Sequence, residues 1–121
     1  PDAIDGDVLA VETSEEMPSS DIVDLLLSCL GERGLLERFD AVLVGRPQTR
    51  THEHDPGTEA RRTYREQQRA TVRAVVRRYN PEAVVVCGLD FGHTSPVAPL
   101  PIGDRVSVDP AAGSVVFPAS C

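Results

Sequence analysis

At 121 residues the chain has the length of one domain and can bury a core of its own. Its 19 acidic against 12 basic residues give a net charge of -7, which argues against nonspecific nucleic-acid binding through clustered positive charge. No apolar run approaches the roughly 20 residues that a membrane helix needs, and "PDAIDGD" at the start carries no secretory signal pattern.

The first residue is Pro rather than Met, which raises the expectation that the chain is the tail of a longer polypeptide. All 12 basic residues are Arg. The three cysteines, Cys29, Cys87 and Cys121, have no CxxC spacing, and a reducing compartment is the natural inference. Cys29 falls in an apolar helical pattern and Cys87 in an apolar strand, so both read as small core residues.

In chain order, "DGDVLAVE" at 5–12 reads as a turn and a short buried strand that delivers Glu12 at its C-terminal end. "MPSSDIVDLLLSCLGERGLL" reads as a helix capped by Ser19 or Ser20, with Asp21 in its first turn. Ile22, Leu25, Leu26, Cys29 and Leu30 supply its apolar spacing, and Gly31 and Gly34 are stop signals. "FDAVLVG" at 39–45 is a second strand, apolar throughout and so expected to be covered on both faces.

A polar loop, "RPQTRTHEHDPGTEA", leads to a helix at 59–79 that starts near Asp55-Pro56 or Thr58. Val72, Val75, Val76 and Tyr79 form one stripe of this helix, and Arg62, Arg65, Arg69 and Arg73 form another, with Glu66 set to pair with Arg69. Asn80-Pro81 ends it. "EAVVVCG" is a third buried strand, and "DRVSVDPAAGSVVF" is a hairpin. Strands alternating with helices predict an α/β fold in which the hairpin adds antiparallel character.

The candidate chemistry lies at strand ends. His93 follows the third strand in a proline-stiffened loop, where ligands commonly bind in α/β sheets. Glu12 ends the first strand, where a buried carboxylate is costly unless paired. Carboxylate plus imidazole is the orienting half of a nucleophile–base–acid triad. The alternative, which spacing alone does not exclude, is that Glu12 caps a helix or accepts from loop amides, as Glu15 and Glu16 could. Ser14 and Ser95 lie near the two candidates in sequence, yet neither sits in a nucleophile elbow. His52, Glu53, His54 and His93 form a weaker metal-binding alternative, because no further Cys or Asp completes the set. The Arg stripe reads as a solvated face, with phosphate binding as its functional alternative.

"VLAVETSEEMPSSDIVDLLLSCLGERGLLERFDAVLVGRP" and "VVVCGLDFGHTSPVAPLPIGDRVSVDPAAG" together resemble the C-terminal domain of the LD-carboxypeptidase family of serine peptidases. That family includes muramoyltetrapeptide carboxypeptidases and microcin C immunity peptidases. "ETSEE" with "LGERGLL" and "VGRP" is more similar to the microcin-immunity branch. The resemblance implies a Ser-Glu-His triad in which Glu12 and His93 supply the acid and the base. Its nucleophilic Ser and oxyanion-hole amides belong to an N-terminal domain absent from this chain, which is then a single C-terminal domain over 1–121. The separation of the two residues, 93 − 12 = 81, is long for the family, and the insert within 46–70 absorbs the difference. The resemblance also implies a swivelling β/β/α-type fold with a mixed sheet, and a cytoplasmic homodimer that uses neither metal nor cofactor. Its substrates would be L,D-peptide bonds of murein fragments or peptidyl-nucleotides of the microcin C type. The competing reading is a non-catalytic binding domain that keeps the scaffold.

Overall fold

The computed structural model describes residues 2–118, so Cys121 lies outside the described residues. After a short 3-10 turn, β1 (Val8–Val11) leads into α1 (Ser20–Glu32), and β2 (Ala41–Gly45) into α2 (Thr58–Tyr79). The chain then forms β3 (Val84–Leu89), β4 (Ser107–Asp109) and β5 (Ser114–Val116). The first three strands make a parallel sheet in the order β1-β2-β3, and β4 and β5 pair antiparallel as a separate two-stranded sheet. The α/β class expected from the strand–helix alternation therefore holds, and the antiparallel character is a hairpin of its own.

Two consecutive right-handed crossovers in one direction put both helices on the same face of the sheet. The core forms there: Val42 of β2 packs with Val23 and Leu27 of α1 and with Val72, Val75 and Val76 of α2. Leu9, Val11, Val44 and Val85 add to that layer at the period of two that a pleated strand imposes. Ala41 and Leu43, on the opposite face of β2, are also buried, as an all-apolar central strand requires.

The end of α1 is set by a glycine. Gly34 has φ +69°, its N–H donates to the Gly31 carbonyl, and the Leu35 N–H donates back to Leu30. That is the Schellman arrangement, which a residue with a Cβ adopts only with strain. Gly31 matters for packing instead. A Cβ there would lie 2.3 Å from the Tyr79 ring, so its bareness lets α1 and α2 close up.

The apolar face of α1 differs from the sequence expectation. Val23 and Leu27 point into the core, whereas Ile22, Leu25, Leu26 and Cys29 are exposed. Apolar residues at 22, 23, 25, 26, 27, 29 and 30 run almost round the helix, so periodicity could not choose which stripe faces inward. On α2 the pair that forms is Arg62–Glu59 at 2.8 Å rather than Arg69–Glu66. No helix among the described residues is long and apolar enough to cross a membrane.

Asn80 does more than end α2. Buried to 8% exposure, its Nδ2 donates to the carbonyls of Leu36 at 2.9 Å and Phe39 at 2.8 Å. These bonds tie the end of α2 to the approach to β2. Asn80→Ala should leave both carbonyls short of a donor and cost about 2 kcal/mol, read as a lower urea midpoint with an unchanged slope.

Candidate active site

Glu12 is the residue immediately after β1, and His93 lies four residues beyond the end of β3. These are the two edges of the three-stranded sheet, separated by β2 and so by about 10 Å of strand spacing. The loop after β3 closes that gap by turning back across the end of β2.

The turn begins inside β3. Leu43 pairs with Val86 but Gly45 with Leu89, so β3 carries one extra residue over that span. Gly88 takes φ +80° within it, as a bulge that redirects a strand requires. The Arg46 N–H donates to the Leu89 carbonyl at 2.7 Å and holds the redirected chain against β2. Phe91 is then buried at 6% exposure, with its carbonyl against Gly45, where a Cβ would stand 2.6 Å away. Gly92 follows with φ +88°, and a Cβ on it would fall 1.9 Å from Glu12 Oε2. The carboxylate thus lies against bare backbone.

His93 arrives beside Glu12, with Nδ1 3.0 Å from Glu12 Oε2. The carboxylate therefore holds one ring nitrogen, which fixes the orientation of the ring and leaves Nε2 directed elsewhere. Nε2 meets a second carboxylate, Glu15 Oε2, at 2.8 Å. The imidazole is bracketed by acids on both nitrogens. The side chains of Glu12 and His93 are 42% and 43% exposed, so the pair sits on an open rim rather than in the buried setting expected for the end of β1.

The segment between Glu12 and α1 is anchored from α2. The Tyr64 hydroxyl at 2.8 Å and Gln68 Nε2 at 2.9 Å both donate to the Pro18 carbonyl. Burial raises the Tyr64 pKa. Gln68, buried at 5%, is hidden in the sequence among the arginines of a polar helix. Beside it, a cavity of about 500 Å³ runs between the helices and the strand ends, lined by Glu12, Ser14, Leu26, Val72 and Cys87 among others. Burial also pushes the Cys87 thiol up, against the opposing pull of Arg69 and Arg73.

Ser14 begins a backbone turn whose carbonyl accepts from Met17, and neither Ser14 nor Ser95 is hydrogen-bonded to His93 among the described residues. Glu12 does not cap α1, whose N-cap is Ser19. His52 and His54 belong to the loop before α2, and among the described residues no three His, Cys, Asp or Glu side chains gather closely enough to hold a metal ion.

The family model for the LD-carboxypeptidase C-terminal domain matches residues 1–108. The chain belongs to that family. Among solved structures it is similar to an MccF-like protein from Streptococcus pneumoniae, crystallised in complex with AMP, at a TM-score of 0.74 and 24% identity. The match covers 96% of this chain and 29% of that one, so this C-terminal domain spans less than a third of the similar protein. A likeness at that identity establishes the fold. No curated protein matches the chain.

Two outcomes check this geometry. Gly92→Ala should separate Glu12 from His93 while leaving the helices intact, seen as a shifted His93 Nδ1 resonance with an unchanged far-ultraviolet spectrum. Exposed Cys29 should alkylate with iodoacetamide well before Cys87, because a raised thiol pKa leaves less thiolate near neutral pH; peptide mapping reads the order.

Proposed function

We propose that this domain supplies the acid and the base of a Ser-Glu-His triad in a serine carboxypeptidase, with the nucleophile carried by a preceding domain. The observation that carries this reading is the 3.0 Å contact from Glu12 Oε2 to His93 Nδ1 at the C-terminal edge of a parallel sheet. In a triad the carboxylate takes the nitrogen that faces away from the nucleophile, and Glu12 takes Nδ1.

His93 Nε2 would accept the proton of the serine hydroxyl as that oxygen attacks the substrate carbonyl. The imidazolium so formed is stabilised by Glu12, and the same proton passes to the leaving amine when the tetrahedral intermediate collapses. Water then enters by the same route in the second half-reaction. For the serine to reach Nε2 it must take the place of Glu15, whose side chain is 64% exposed and has room to swing outward. By itself, the domain lacks the nucleophile and should hydrolyse nothing.

The bond cleaved would be an amide near a substrate's C-terminus, in an L,D-linked murein fragment or a peptidyl-nucleotide. The AMP complex of the similar Streptococcus pneumoniae protein supports keeping the nucleotide in view. A cytoplasmic location and a homodimer belong to the same reading. The exposed Ile22, Leu25 and Leu26 of α1 offer apolar surface of the kind that a companion domain or a second copy covers.

In the polypeptide carrying both domains, His93→Ala should lower kcat/KM by about 10³-fold or more. Near-full activity in that variant would remove His93 from the chemistry. Glu12→Gln should slow turnover without changing the denaturation midpoint, since the amide keeps the shape but not the charge.

A further inference from the structure

Beside His93, a second cavity of about 460 Å³ is lined by Arg46, Arg50, Arg61, Arg65, His93 and Ser95 with neighbouring loop residues. Four guanidiniums on one cavity run against the chain's net charge of -7. Their acidic partners are few. Asp90 pairs with Arg46 at 3.0 Å, while Asp55 is shared between Arg61 at 3.7 Å and Arg50 at 3.9 Å. Positive charge is therefore in excess at this wall.

Donors are in excess too. The Nε–H of Arg46 is shielded from solvent and meets no acceptor within hydrogen-bonding distance among the described residues, and the shielded Nε–H of Arg61 has only Asp55 Oδ1 near it, at 3.7 Å. Arg65, partly buried, makes no ion pair or hydrogen bond among the described residues. Shielded donors without acceptors are costly, and guanidinium pairs match planar oxyanions in two-point contacts.

The wall is a braced structure. Thr51 N–H donates to the His54 carbonyl, His54 N–H to Thr51 Oγ1, and Gly57 N–H to Asp55 Oδ1. The Gly57 N–H holds the Asp55 carboxyl below its ordinary range, and that carboxylate lies near both Arg61 and Arg50. On the facing side, Arg46 Nη2 donates to the Ser95 carbonyl at 3.3 Å and ties the wall to the His93 loop.

We propose that this cavity binds a terminal oxyanion of the substrate, a phosphate or a carboxylate, and seats it beside the bond that His93 serves. The segment 46–70 thereby gains a function as the anion-binding wall. The anion site stands on the arginine geometry alone; its relation to a scissile bond rests on the peptidase reading.

The test is titration of the 121-residue chain, following the Arg Nε–Hε resonances, with AMP, inorganic phosphate, N-acetyl-D-alanine and uncharged adenosine. Saturable shifts at Arg46 and Arg61 are expected with anions and not with adenosine. Response to AMP and phosphate alone assigns the site to phosphate, response to N-acetyl-D-alanine alone assigns it to a carboxylate, and response to all three supports a general oxyanion pocket. Arg65→Gln, which breaks no existing bond, should weaken binding about tenfold, as should Arg50→Gln on the exposed loop. No saturable shift with any anion, or variants that titrate like the parent, would overturn the proposal. In the two-domain enzyme, Arg65→Gln should raise KM more than it lowers kcat. If His93→Ala abolishes turnover while Arg65→Gln changes neither KM nor the titration, the pocket assignment fails alone. If the titration holds while His93→Ala is fully active, the peptidase reading fails alone.

Discussion

The contact between Glu12 and His93 depends on backbone that carries no side chain. The two residues come from opposite edges of the sheet, and no side chain spans the middle strand unaided. The loop after β3 must lie directly on the end of β2, and it can do so because Gly45 presents nothing to the Phe91 carbonyl. It must then let a carboxylate approach to touching distance, which Gly92 permits. A methyl group at either position would occupy space already filled by backbone or by Glu12. Steric exclusion of this kind is a harder constraint than any hydrogen bond in the site.

The ordering of cause follows from magnitudes. An acid–imidazole pair that is about 40% exposed on both sides contributes little stability, because solvent screens it and its side chains lose entropy. It cannot be what holds the loop. Burial of Phe91, the Arg46 N–H bond to the Leu89 carbonyl and the Ala98 N–H bond to the Asp90 carbonyl hold the loop instead. The fold positions the pair, and the pair is left free to exchange partners. Glu15 on Nε2 is such a partner, more exposed than the imidazole it touches. A surface that covered this rim would strengthen every charge interaction in it by removing water.

The sequence is legible where its pattern is one-sided. β2 and β3 read as unbroken apolar runs, α2 as a valine stripe beside an arginine stripe, Glu12 as a polar residue directly beyond an apolar strand and His93 as one in the loop after another. It is illegible where chemistry repeats without direction. The apolar girdle of α1 conceals that Val23 and Leu27 face inward, so spacing alone puts Cys29 in the core when it is exposed. Gln68 and Asn80 are unremarkable in a polar context, because their partners are carbonyls 50 and 44 or fewer residues away that only the fold brings near. Glu15 can be named but not placed: a one-dimensional pattern does not say which of Glu12, Glu15 and Glu16 meets the imidazole. The glycines of the crossing loop carry a readable turn signal, yet their partners across β2 are invisible.

The charge distribution completes the physical picture. His93 meets groups of both signs: its ring nitrogens touch Glu12 and Glu15, and it lines the cavity of Arg46, Arg50, Arg61 and Arg65. The two carboxylates offer counter-charge to an imidazolium, as the proposed role of His93 as a base requires. The basic wall attracts an anion to the neighbourhood without needing a positive chain overall, since over distances beyond about 8 Å physiological salt screens the remaining acidic surface. Arg65 lines both cavities, so the basic wall adjoins the apolar one between α1 and α2. A ligand with an apolar body and an anionic end would match that sequence of surfaces, and an uncharged or cationic one would match only half of it.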